Sequence, residues 1–218
     1  MTNGVLPAGL LSSDTPLNLY DIEMCVTNLR EVPDDLDSKW LLGSCIVIEH
    51  SKLQSVPASL LRIMPSYLSV MGNPISSLPP EIFEIEGMTD LGIGDTNIRE
   101  LPYNVTQLSS TLTTIYMSDT NISYFWPWIE ELIVRQPILA GGSVYCTDLE
   151  RIANGSADSF SALPSPDYSV ELMDLANAAA AGGSTWSVVD CSPPVNGITG
   201  PLYPLADEDR HYALNYPD

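Results

Sequence analysis

Apolar residues along this chain recur in one fixed frame. The segments LSVMGNPISSLPPEI, from Leu68, and LGIGDTNIRELPYNV, from Leu91, align as L-x-L-x-x-(N/T)-x-I-x-x-L-P. The same frame begins at Ile22, Ile46, Ile115 and, in a worn form, Ile138, so that six units follow one another at steps of 24, 22, 23, 24 and 23 residues. So even a step marks an internal repeat, in which each unit hides its apolar face against the next.

The columns of the frame predict the elements. Ile22, Ile46, Leu68, Leu91, Ile115 and Ile138 form the first apolar column, and Met24, Ile48, Val70, Ile93, Met117 and Ala140 follow two residues later. A spacing of two places both side chains on one face of a short strand. Leu29, Leu53, Ile75, Ile98, Ile122 and Tyr145 form a third inward column. Val32, Val56, Leu78, Leu101 and Phe125 form a fourth, which the last unit lacks. Proline follows that column at Pro33, Pro57, Pro79 and Pro102, with Trp126 in its place in the fifth unit. Proline there ends the extended segment and suits the start of a helical turn. Ile82, Phe83, Ile85 and Met88, and likewise Ile129, Leu132 and Ile133, predict one- or two-turn helices on the return side.

On these residues the chain resembles the leucine-rich repeat family, in its 23-residue L-x-x-L-x-L-x-x-N-x-I-x-x-L-P form, over residues 19–149, roughly 60% of the sequence. The resemblance implies an α/β fold: a right-handed solenoid with a curved parallel sheet, and short helices or 3-10 turns on its convex side. A lead-in (residues 1–18) would precede the array, and a capping, mostly irregular tail (residues 150–218) would follow it. Departures predict irregularity. Only Asn73 fills the asparagine column; Thr27, Ser51, Thr96, Thr120 and Ser143 take its place elsewhere, and a hydroxyl offers one donor where an amide offers two. The leading leucine is absent at Gly43, Pro65 and Arg135.

The resemblance also implies a binding role for the concave face, through residues between the inward columns: Glu23, Val47, Glu49, Tyr67, Ser69, Met71, Asp90, Asp95, Tyr116 and Ser118. Tyr67, Met71 and Tyr116 would be apolar anchors in an acidic surround, the mix that protein interfaces favour. The expected function is non-catalytic binding of a protein or peptide, within a receptor-like or surface protein; an intracellular signalling scaffold is the alternative.

Charge narrows the partners. Eight basic against 28 acidic residues leave a formal net charge of −20. Nucleic acid and anionic membranes are repelled by such a surface, so a charged partner is expected to be basic. No apolar run reaches the roughly 18 residues of a membrane span, and the first twenty residues lack the basic start of a signal peptide. With no recognisable cap before residue 19, the chain is expected to be a piece of a longer, extracellular or membrane-associated protein; a cytoplasmic location is the alternative.

Little of the sequence suggests catalysis, a cofactor or a metal. His50 stands near Cys45 and Glu49, yet alternating strand residues do not converge, and it is expected at a solvated turn. His211, beside Asp207, Glu208 and Asp209, gives an enzyme its best case, in the tail; an acidic run is more often solvated. Four cysteines are too few for a disulfide-built scaffold. Cys25 and Cys45 would lie roughly 13 Å apart along adjacent strands, as free thiols. In an exported chain a Cys146–Cys191 bridge would clamp the cap, a connectivity that sequence leaves open. Trp186 and Tyr203 are expected as further anchors of the tail, and residues 171–181 as its one helix. Asn104, Asn121 and Asn154 each begin an acceptor sequence for asparagine-linked glycans and should be exposed.

Overall fold

The computed structural model describes residues 1–12, 18–180, 188–195 and 200. Trp186, Tyr203 and the His211 group lie outside them.

Among the described residues seven short strands form one parallel sheet in chain order: β1 (Asp21–Glu23), β2 (Cys45–Val47), β3 (Tyr67–Ser69), β4 (Asp90–Gly92), β5 (Thr114–Tyr116), β6 (Ile138–Leu139) and β7 (Val189–Asp190). A parallel neighbour needs a crossover of a dozen or more residues, and a step of 22 to 24 supplies one. Ile22, Ile46, Leu68, Leu91 and Ile115 pair across successive strands in a single ladder, as the frame predicts. Tyr116 pairs with Leu139, which carries the register into β6.

Backbone hydrogen bonds prolong this ladder beyond the strands, through Met24 N–H to Val47 O, 2.8 Å, and Val26 N–H to Glu49 O, 3.1 Å, and their counterparts in later units. The first three apolar columns are buried throughout; in the fourth, Val32 is only partly covered.

Return segments follow the prolines in part. Pro57 precedes α1 (Ala58–Arg62), Pro79 caps a 3-10 turn (Pro80–Phe83), and Trp126 caps another (Pro127–Ile129), which continues into α2 (Glu130–Ile133). After Pro102 there is no helix: residues 103–113 return as turns and bends.

Residues 1–12 cover the first unit, a cap that the sequence did not announce. Leu6 is buried, the Arg30 amide donates to Gly4 O at 2.8 Å, and the Trp40 indole donates to Leu10 O at 2.9 Å.

At the other end the sixth unit leaves the frame. Ser143 caps α3 (Val144–Ala153), its hydroxyl accepting from the Cys146 amide at 3.1 Å. The helix runs straight across residues 149 and 150. In place of a single helix over residues 171–181 there are two, α4 (Val170–Met173) and α5 (Leu175–Ala180), broken at Asp174, whose ψ of 124° is extended. Phe160, Leu172, Ala178 and Val189 of the tail all join the core.

One backbone column has no counterpart in the residue pattern. Val26, His50, Gly72, Asp95, Asp119 and Gly142, each four residues past the start of its unit, all have positive φ, between 47° and 80°. Here the chain swings out of the strand, a bend that a left-handed residue makes in one step. Glycine adopts it freely and aspartate tolerably, whereas a β-branched residue is strained. Val26 is 49% exposed, so little packing holds it. Val26→Asn is therefore expected to stabilise the fold by about 1 kcal/mol, seen as a higher urea midpoint at constant m-value. An unchanged or lower midpoint would contradict the strain.

Candidate functional site

The sheet face opposite the core carries three rows. Asp21, Cys45, Tyr67, Asp90 and Thr114 form the first, aligned by strand register. Glu23, Val47, Ser69, Gly92, Tyr116 and Leu139 form the second, and β7 extends it with Asp190, paired to Leu139. The third comprises Cys25, Glu49, Met71, Gly94, Ser118 and Gly141.

Half of the expected binding residues are not accessible. Val47, Glu49, Ser69, Met71 and Ser118 point away from the core, yet all are buried. The physical reason is lateral packing. Gly92 leaves a gap in the second row, and Met71 and Ser69 lie over it: a Cβ on Gly92 would stand 2.8 Å from Met71 Cε and from Ser69 Oγ. The Ser69 hydroxyl donates to the Glu49 carboxylate, which sits at 0% exposure. These five residues thus floor the face instead of lining it.

What remains at the surface is aromatic and acidic. Tyr67 and Tyr116 are half-buried, and the Tyr116 hydroxyl donates to Asp90 Oδ1 at 3.4 Å. Burial, then the nearby Glu49, Tyr116 and Asp90, push the Tyr67 phenol well above its ordinary range. Burial and then Asp90 raise that of Tyr116. Asp21 and Glu23 stand exposed on β1.

Asp95 and Asp119 stand exposed on the left-handed column, where burial and then the charge of Asp95 raise the Asp119 carboxyl. His50 is not at a solvated turn: its ring packs against Gly72, with Nδ1 3.8 Å from Asp95 Oδ2. The sequence hinted at this column only through Gly72 and Gly142, because its six residues share a backbone angle and not a side-chain type.

Cys25 and Cys45 are unpaired and half-buried on this face. Burial, with Glu49 and Glu23 around Cys25 and Asp21 and Glu23 around Cys45, pushes both thiols up to about 11. Only the thiolate reacts, so near pH 8 both should alkylate roughly 100-fold more slowly than an ordinary thiol. The rate should climb through pH 10. Mass-spectrometric timing of iodoacetamide uptake checks this, and uptake at the rate of free cysteine would refute it.

Cys146 and Cys191 are joined in a disulfide, Cα to Cα 5.4 Å. Asn104, Asn121 and Asn154 are each exposed. At Asn154 the side-chain oxygen accepts from the amide of Ser156 at 3.0 Å and also from its hydroxyl, within one acceptor sequence. Among the described residues no group of three or more His, Cys, Asp or Glu could hold a metal ion, and no helix is long and apolar enough to cross a membrane.

No family model matches the sequence, and no curated protein matches it.

Proposed function

We propose that the chain is a short solenoid of the leucine-rich repeat kind and serves as a non-catalytic module that binds a basic protein or peptide segment on the outward sheet face. One observation carries this reading: Tyr67 and Tyr116 stand half-buried within a field of carboxylates from Asp21, Glu23, Asp90, Asp95 and Asp119. Aromatic anchors ringed by charge of one sign favour a partner of the opposite sign, in affinity and in encounter rate. The binding set is narrower than the sequence alone suggests. Glu49 is unfit for a charge-reversal test, since a buried lysine there would unfold the floor.

Peptides selected from a random displayed library test the reading. They should be rich in Lys and Arg, bind more weakly as salt rises, and lose about 10-fold or more in affinity to Tyr116→Ala and Asp90→Asn proteins of unchanged melting temperature. Selected peptides that bind both variants as tightly as the parent would end it.

We further propose an extracellular or membrane-associated setting. The Cys146–Cys191 disulfide and the three exposed acceptor asparagines support it. The unpaired Cys25 and Cys45 favour instead an intracellular scaffold. Thiol titration of freshly isolated, unfolded, unreduced protein separates the two: two thiols support the first, four the second.

A further inference from the structure

The sheet's last strand hangs on few contacts. β7 has two residues, and it binds β6 through Ile138 N–H to Val188 O, 3.0 Å, and Ala140 N–H to Asp190 O, 2.9 Å. Directly after it, Ser192 presses its carbonyl against Gly141, where no Cβ would fit, and Cys191 is bonded to Cys146. This bond closes a loop 45 residues long, which includes α4 and α5.

The two sulfurs differ in setting. Cys146 is buried, as the third residue of α3. Cys191 is partly buried against the core. Both border a cavity whose walls include Asp119, Glu150, Pro193 and Pro194. The opening to the bond is therefore acidic on two sides.

We infer that the Cys146–Cys191 disulfide is a thiol-reducible clamp: its opening frees β7 from the edge of β6 while the rest of the sheet stays folded, and Asp119 and Glu150 select against anionic reductants. A small thiolate attacks Cys191 Sγ and forms a mixed disulfide there. The bond to Cys146 breaks, and Cys146 leaves as a thiolate, then takes a proton. A second thiolate attacks the reductant's own sulfur in that mixed disulfide and releases Cys191, which is protonated in turn. Two thiols thus become one small disulfide, and their two electrons reduce the clamp.

Access governs which sulfur is attacked, and Cys191 is the less covered of the two. The clamp acts at the β7 edge of the sheet and shares only Asp119 with the carboxylates proposed above to receive a partner.

The test follows reduction of the intact protein by alkylation and mass spectrometry, with cysteamine, which carries a positive amine, and 3-mercaptopropionate, which carries a carboxylate, at matched thiolate concentration and low salt. Cysteamine should open the clamp about 10-fold or more faster. The gap should close at high salt and in an Asp119→Asn, Glu150→Gln protein; asparagine tolerates the positive φ of residue 119. Hydrogen exchange on the reduced protein should speed up at the Ile138 and Ala140 amides and stay slow at Ile48 and Val70. Equal rates for the two thiols would overturn the selectivity. Unchanged protection at Ile138 and Ala140, or loss of protection throughout, would overturn the clamp. A Cys146→Ser, Cys191→Ser protein should show the same local exchange without any reductant.

Discussion

Asn73→Ala is expected to lower stability by about 3 kcal/mol or more. The side chain is buried at 2% exposure and bridges two units. Its Nδ2 group donates to Ile48 O at 2.7 Å and to Val70 O at 2.9 Å, with Met71 O at 3.3 Å, and its Oδ1 accepts from the Leu53 amide at 3.0 Å. Alanine would strand the Leu53 amide and the Ile48 carbonyl in the interior, each at about 1–3 kcal/mol.

The neighbouring units show what a hydroxyl achieves at this column. Thr96 donates to Ile93 O at 2.8 Å and Thr120 to Met117 O at 2.9 Å, each within its own unit. Asn73→Thr should therefore keep the bond to Val70 O, lose both bonds to the previous unit, and fall about midway between parent and alanine. Urea unfolding of the three proteins measures this. Were Asn73→Ala to sit within about 1 kcal/mol of the parent, or Asn73→Thr to match Asn73→Ala, the amide would not be what ties these units together.

How much of this was legible in the sequence depends on which force set each feature. Ile22, Ile46, Leu68, Leu91 and Ile115 were readable as one ladder because each begins an apolar stretch at a near-constant step and each is buried. Pro57 and Pro79 were readable as helical starts because proline's fixed φ acts locally. The left-handed column was not readable: Gly72 and Gly142 hint at it, but Val26 and His50 take the same turn with residues that disfavour it.

The burial of Glu49 and Met71 was hidden for another reason. Alternation tells which way a side chain leaves the strand, not whether Gly92 next door leaves room for it to lie flat. α3 was missed because Tyr145 continues the third apolar column, while the signal that mattered was Ser143, a hydroxyl capping the helix in place of the asparagine column. β7 is two residues brought in from far along the chain, below the reach of any local pattern.

Tyr145→Ala should cost about 3–5 kcal/mol, and the loss should be felt first in the tail. Tyr145 joins array and tail through one side chain. Its ring meets Phe125 edge-on at 4.8 Å and stacks on Phe160 at 5.4 Å, and its hydroxyl donates to Leu172 O at 2.7 Å. Burial, and after it the charge of Glu171, raise the phenol far above its ordinary range.

Tyr145→Phe separates the two contributions. The rings remain, the Leu172 carbonyl loses its partner, and the loss should shrink to about 1–2 kcal/mol. In both variants the disulfide at the next residue still tethers the tail, so the tail should loosen without leaving. Exchange at the Ser169 amide, which donates to Phe125 O at 2.8 Å, should rise in Tyr145→Ala well before that of the Val70 amide. Were the Ser169 and Val70 amides to quicken together, tail and array would be one cooperative unit, and the tail would be part of the repeat core and not a cap laid on its end.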